Sequence, residues 1–214
     1  DQVARSVATA LPTAAPDASA PAAETAPAAS PAAQPERLAV DFSALQAINP
    51  DACAWLYGQG ASLHYPVVQG EDNEYYLNHL LDGTRSACGC LFVDAGASAG
   101  FSDRVTIVYG HNMNDGSMFA DIAGYTQETY WREHPIIQCD SLTRQREYEV
   151  MAVLQFKDSE QAAQDYYSVP CDEMNFTEYI SRLADAALYD TGIQAVWGDQ
   201  ILALSTCSRQ DSDS

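Results

Sequence analysis

The chain has 214 residues, with 30 acidic and 10 basic side chains and a formal net charge of −20 at pH 7. A surface of that sign repels phosphate backbones, which argues against nucleic acid as a partner. No apolar run of about 18 residues or more occurs, so no membrane-spanning helix is expected, and the opening Asp1-Gln2, without a basic segment and apolar run, is expected to be a fragment boundary rather than a signal peptide.

Residues 1–36 differ in composition from the rest. Residues 8–35 are mostly Ala, Pro, Ser and Thr, with prolines at 12, 16, 21, 27, 31 and 35. Proline at that density blocks a continuous helix, and almost nothing large and apolar is present to bury. Residues 1–36 are therefore expected to be a disordered, semi-extended spacer that acts as a tether. Residues 37–214 are expected to form one folded domain.

Asp41 is placed to cap a short helix carrying Phe42, Leu45 and Ile48, which Asn49-Pro50 ends. Cys53 to Tyr57 and Leu63 to Val68 read as strands. Asp72 or Asn73 starts a short helix with Tyr75, Tyr76 and Leu77. Leu91 to Val93 is a strand, and a second apolar, β-branched strand, Val105 to Tyr109, runs into Gly110-His111. Asn114-Asp115-Gly116 turns into a short helix with Met118, Phe119 and Ile122. Thr126 to His134 is helical up to Pro135. Ile136 to Cys139 and Tyr148 to Phe156 read as strands, Phe176 to Leu188 as a helix, and Ile201 to Leu204 as a buried strand ending in Ser205-Thr206-Cys207. The sum is a mostly β domain with short helices in the connections, consistent with a closed barrel.

The chemistry sits at two strand ends. A thiol at the mouth of an apolar strand is held rigidly and still faces solvent, which suits a nucleophile. Its thiolate needs a nearby donor or cation, since a free thiol is protonated at neutral pH. His111 is the one histidine just past a strand end and beside glycine. His64 falls inside a strand, His79 in a helix and His134 before a proline. Cys207 as nucleophile with His111 as partner is the covalent-catalysis reading; a buried core cysteine and a structural histidine are the plain alternatives. The other cysteines, 53, 88, 90, 139 and 171, permit at most two disulfides of unspecified pairing. Cys88-Gly89-Cys90 lacks a second ligand pair, so no metal site is expected, and no cofactor is called for.

From Leu38 to Cys207 the chain resembles the class B sortases, cysteine transpeptidases of Gram-positive cell surfaces. Four segments carry the resemblance, in the family's order: residues 41–57; Tyr65 to Leu77, with Gly70-Glu71-Asp72-Asn73 at its centre; Tyr109-Gly110-His111-Asn112-Met113 on to Phe119; and Leu204-Ser205-Thr206-Cys207. The resemblance implies a sortase-type β-barrel with an added helix before the strand that bears the cysteine. It also implies a mechanism. Cys207 attacks the threonine carbonyl of an LPxTG- or NPQTN-like sorting signal, and an amino group of a peptidoglycan precursor or a pilin lysine resolves the thioacyl-enzyme. His111 acts as acid and then base. Asn73, Leu77, Tyr179, Ile180, Ser205 and Thr206 match the regions lining the family's substrate groove. Their plainer reading is core for Leu77, Tyr179 and Ile180 and a helix cap for Asn73. The resemblance places the protein at the extracellular face of the plasma membrane, held by an N-terminal anchor outside this chain.

One departure stands out. The family's oxyanion arginine lies on a strand after the cysteine, beyond Ser214 here. The domain is therefore expected to be truncated before its last strand and to leave an open sheet edge, unless another residue such as Arg104 substitutes. Arg209 is too near Cys207 and belongs to the loop. Wall anchoring and pilus assembly both remain open. So does a non-catalytic binding module with the same fold, which the missing arginine favours. A papain-like protease is discounted, because its cysteine stands near the N-terminus. The acidic surface is expected to attract a cationic amine.

Overall fold

The computed structural model describes residues 4–11, 39–58, 60–98, 100–156, 166, 170 and 172–207, with 4–11 and 207 as backbone. Eight strands alternate with short helices: β1 Ala4–Leu11, α1 Phe42–Ile48, β2 Ala52–Gly58, β3 His64–Val68, β4 Leu91–Val93, β5 Val105–Tyr109, α2 Glu128–Glu133, β6 Ile136–Ser141, β7 Gln145–Gln155, α3 Glu173–Ala186 and β8 Gln200–Cys207. Two of the short helices expected from the sequence form as 3-10 helices, Tyr75–Leu77 and Phe119–Thr126. The second starts from Met118 at φ 56, a left-handed conformation that turns the chain sharply into it.

Local rules account for the helices that form as expected. The Asp41 side chain accepts from Ala44 N at 3.1 Å and caps α1, and Asn49, in extended backbone, ends it. Asp172 does the same for α3, accepting from Asn175 N at 2.9 Å. The apolar stripe of α3, Phe176, Tyr179, Ile180 and Leu183, is buried.

The strands close into a barrel in the order β1-β7-β6-β2-β3-β4-β5-β8. The β3–β4 and β5–β8 pairs are parallel; the others are antiparallel. Side chains alternate across each strand, so two cores form. Leu56, Val67, Leu91, Val108, Tyr148, Val150, Leu202 and Leu204 fill one face together with Phe119 and Ile122. On the other face α3 covers Val105, Ile107, Met151, Leu154, Ile201 and Ala203. Full burial of each such aliphatic side chain contributes about 1.5–3 kcal/mol. No helix among the described residues is long and apolar enough to cross a membrane.

β1 departs from the expected spacer. Ala4–Leu11 is a strand between β7 and β8, in antiparallel register from Ala4↔Cys207 to Leu11↔Gln200, with Arg5↔Gln155 on its other side. The open edge expected beside β8 is thus occupied. The physical reason is backbone demand: β7 and β8 each present a row of N–H and C=O groups that a further strand satisfies. Residues 12–38, the rest of the expected spacer, lie outside the described residues.

Candidate active site

β5 and β8 run parallel, with Val105↔Ile201 and Tyr109↔Ser205 as partners. Parallel strands end at the same side of a sheet, about 4.8 Å apart. His111 is two residues past Tyr109, and Cys207 is two past Ser205, so the register carries both positions to one end of the barrel. Gly110 N–H donates to Ser205 O at 3.1 Å, which continues the pairing beyond β5. Period two also places position 207 on the strand face of Ile201 and Ala203, the face that α3 covers further along.

Gly110 is required by close packing. A Cβ there would overlap Leu91 Cδ2 and lie 2.7 Å from Phe119 Cδ2. Phe119 N–H in turn donates to His111 O at 2.8 Å, which fixes the backbone on the far side of the imidazole. The imidazole is half-buried, and its Nε2 lies 2.7 Å from Leu77 O. A carbonyl only accepts, so this contact requires a proton on Nε2 and leaves Nδ1 as the nitrogen at which the ring can gain or lose one.

The remaining histidines are engaged elsewhere. His64 opens β3 and packs edge-on against Trp55 and Tyr57. His79 lies past the 3-10 turn rather than in a helix; it stacks on Tyr75 at 4.0 Å. His134 follows α2 and packs on Tyr130.

The groove residues expected from the resemblance divide. Leu77 is brought to the site: it is 39% exposed, and its carbonyl holds His111. Ser205 and Thr206 lie on β8 directly before Cys207, both buried. Asn73 does not cap a helix. Asp72 accepts from Glu74 N and Tyr75 N at the entry to the 3-10 turn, whose N-cap is Glu74. Asn73 instead braces the turn after β4, with Nδ2 donating to Asp94 Oδ2 at 2.9 Å and Oδ1 accepting from Ala95 N at 2.7 Å. Tyr179 and Ile180 are a correction. Each is 2% exposed and sits in the core between α3 and the sheet, so neither presents a face to a peptide. The physical reason is the helical stripe itself: residues at that spacing face the sheet.

Arg104 is the second correction. Its carbonyl accepts from Ile201 N at 2.8 Å, so it stands at the far end of β8. From Ile201 the strand runs on to Cys207, a distance of about 20 Å at about 3.3 Å per residue. The Arg104 guanidinium lies 4.3 Å over the Trp197 ring. Arg209 is outside the described residues.

Cys53, Cys88, Cys90 and Cys139 are free thiols. Burial pushes the Cys53 thiol up to about 12, with the Asp51 carboxylate adding to it, and the Cys90 thiol up to about 11. Cys139, fully enclosed, is pushed up further, again first by burial. The Cys53, Cys90 and Cys139 thiols stay protonated at neutral pH and are poor nucleophiles.

Sequence reasoning missed Asp94 and Tyr109. Asp94 follows a three-residue apolar strand, where an acidic residue reads as an ordinary turn former. Its role comes from partners distant in sequence: Asn73, and Tyr109 whose OH lies 3.3 Å from Asp94 Oδ2.

No family model matches the chain. It is similar to sortase B of Listeria monocytogenes, 31% identical over 169 residues, covering 78% of this chain and 66% of that protein. The chain thus spans just under two thirds of that curated relative. Among solved structures, a sortase B from Listeria monocytogenes has a TM-score of 0.69 at 31% identity, covering 78% of this chain and 94% of that one. A mutant form of Clostridium perfringens sortase B has a TM-score of 0.73 at 28% identity, covering 79% and 80%. On these likenesses in sequence and fold, the chain belongs to the sortase B family, whose members are cysteine transpeptidases.

Proposed function

We propose that this protein cleaves a C-terminal sorting signal and transfers the acyl part to a cell-wall amine, with Cys207 as nucleophile and His111 as acid and base. The observation that carries the reading is the parallel β5–β8 register, Tyr109↔Ser205, which delivers the two positions to one barrel end. The Cys207 thiolate attacks the carbonyl carbon of the signal's scissile peptide bond. The tetrahedral oxyanion collapses, the C–N bond breaks, and the imidazolium gives its proton to the leaving amine. An incoming amine then attacks the thioester carbonyl. His111 takes its proton, a new C–N bond forms, and the thiolate is released.

With Nε2 bonded to Leu77 O, the proton is handled at Nδ1. Leu77, exposed beside His111, borders the groove, and Ser205 and Thr206, buried on β8, support the strand end that carries Cys207. Two similar structures are a Staphylococcus aureus sortase B–substrate complex and a sortase B complexed with triglycine. These likenesses support a substrate peptide and an amine as the partner classes; the family resemblance of the sequence adds an LPxTG- or NPQTN-like signal and a peptidoglycan precursor as the amine. The enzyme acts at the extracellular face of a Gram-positive plasma membrane. Pilin polymerisation is the same chemistry with a lysine as the amine.

The test is intact mass after mixing the protein with peptides of both motif types, with Cys207→Ala beside it. A thioacyl adduct on the parent alone supports the reading and names the motif class. Adducts on both proteins, or on neither, count against it.

A further inference from the structure

We infer that Asp94 is a positioning residue for His111, acting through two arms that meet at one carboxylate oxygen. This rests on the reading of His111 as acid and base. The first arm is Asn73, whose Nδ2 donates to Asp94 Oδ2 at 2.9 Å. It anchors the segment that runs through the 3-10 turn Tyr75–Leu77 to the Leu77 carbonyl, 2.7 Å from His111 Nε2. The second arm is Tyr109, whose OH donates to the same Asp94 Oδ2 at 3.3 Å, two residues before His111.

Asp94 is itself held. Its Oδ1 accepts from Gly96 N at 2.9 Å, its N–H donates to Ile107 O at 3.1 Å, and its carbonyl accepts from Gln69 Nε2 at 3.2 Å. Asn73 closes the link by accepting from Ala95 N at 2.7 Å. The carboxylate thus ties the loop that supplies the imidazole's acceptor to the strand that supplies its backbone. Neither arm reaches the reacting atoms. What they set is the position and tautomer of the ring: with Leu77 O in place Nε2 keeps its proton, and Nδ1 is the nitrogen that gains and loses one.

Asp94→Asn tests this with little change of shape. Gly96 N–H holds Oδ1 in place, so the substitution puts an amide donor where Oδ2 accepted from Asn73 and Tyr109. The primary readout is the 15N signature of His111 in the full chain, which needs no substrate. The parent is expected in the Nε2–H tautomer with slow solvent exchange of that proton, and Asp94→Asn in a mixture with fast exchange. Thioacyl formation is expected to fall by up to about 100-fold, the size of effect an ångström-scale misplacement produces, through kcat and not KM. Asn73→Ala and Tyr109→Phe should each give part of the loss, and neither should add to Asp94→Asn. An unchanged His111 signature with acylation within about twofold of the parent would overturn the inference, since one hydrogen bond to a charged group is worth more than that. If Asp94→Asn does not fold, Tyr109→Phe carries the same prediction at smaller size, because its ring stays packed on Phe92. Failure of the acid–base reading looks different: His111→Ala would then acylate normally while the tautomer shift on Asp94→Asn persisted.

Discussion

Gly110 N–H donates to Ser205 O at 3.1 Å, and this single bond extends the parallel pairing of β5 and β8 past the end of β5. Its consequence is chemical. Parallel strands cannot be joined by a tight turn, so the two partners stand 95 positions apart in the chain, and yet the residues that follow them emerge side by side.

The pair should therefore act as a unit. Cys207→Ala is expected to abolish the thioacyl adduct. His111→Gln is expected to slow acylation by about 10²–10⁴-fold, the usual contribution of a positioned acid or base. Single-turnover mass spectrometry measures both. A His111→Gln rate equal to the parent's would remove His111 from the mechanism.

Gly110 should not tolerate a methyl group. In Gly110→Ala the new Cβ lies 2.7 Å from Phe119 Cδ2 and overlaps Leu91 Cδ2, both buried. Overpacking of this kind costs about 1–3 kcal/mol, and the shift it forces falls on the residue before His111. The urea midpoint and the acylation rate should drop together; a stable, fully active variant would contradict the packing argument.

The buried thiols make stability sensitive to alkali. Cys53 is raised from 9.0 to about 12 and Cys90 from 9.0 to about 11, first by burial. Below pH 9 these thiols are protonated in both states, and their contribution is fully present. Above it the unfolded chain releases protons that the folded chain keeps, so stability falls from pH 9 towards pH 12. Urea midpoints across that range should decline steadily, and less steeply for Cys53→Ala. In the native protein at pH 8, iodoacetamide should label Cys53 and Cys90 far more slowly than in denaturant.

Tyr179 separates core from groove. Tyr179→Ala empties a fully buried ring position on α3 and should cost about 3–5 kcal/mol of stability. The peptide KM should stay at the parent's value wherever the variant is folded. Leu77, exposed beside His111, should behave in the opposite way: Leu77→Ala raises KM at little cost in stability. Thermal melts and steady-state kinetics on the two variants decide it, and a KM effect confined to Tyr179 would return that residue to the groove.

β1 can be tested without any substitution. Ala4–Leu11 pairs on both sides, so its amides should exchange with solvent markedly more slowly than in an unstructured peptide of the same sequence. Hydrogen exchange read by mass spectrometry covers the segment. Exchange at the unstructured rate would mean that β7 and β8 lack this partner in solution.

Much of the architecture could be read locally. Asp41 and Asn49 bound α1, the β-branched run Val105 to Tyr109 makes β5, and Ile201 to Leu204 makes the centre of β8. The sequence marks short helices at Tyr75–Leu77 and after Gly116, but so short a run as Tyr75–Leu77 carries too little periodicity to tell a 3-10 helix from an α-helix. β1 was missed for a different reason. Ala-Arg-Ser-Val-Ala-Thr-Ala-Leu has weak β-propensity and adjoins the proline-rich stretch, and its strand state comes from the edges it covers.

The sequence by itself determined most of the elements (β1 excepted), the two strand ends carrying His111 and Cys207, and the family likeness in four ordered segments. These are local matters of propensity, capping and motif. Only the tertiary structure decided which face of α3 is buried, and so removed Tyr179 and Ile180 from the groove. It alone put Arg104 at the wrong end of β8 and joined Asn73, Asp94 and Tyr109 around one carboxylate. The reason is that hydrogen bonds and burial depend on distance in space. A closed barrel with a parallel β5–β8 pair brings together residues whose separation along the chain carries no trace of it.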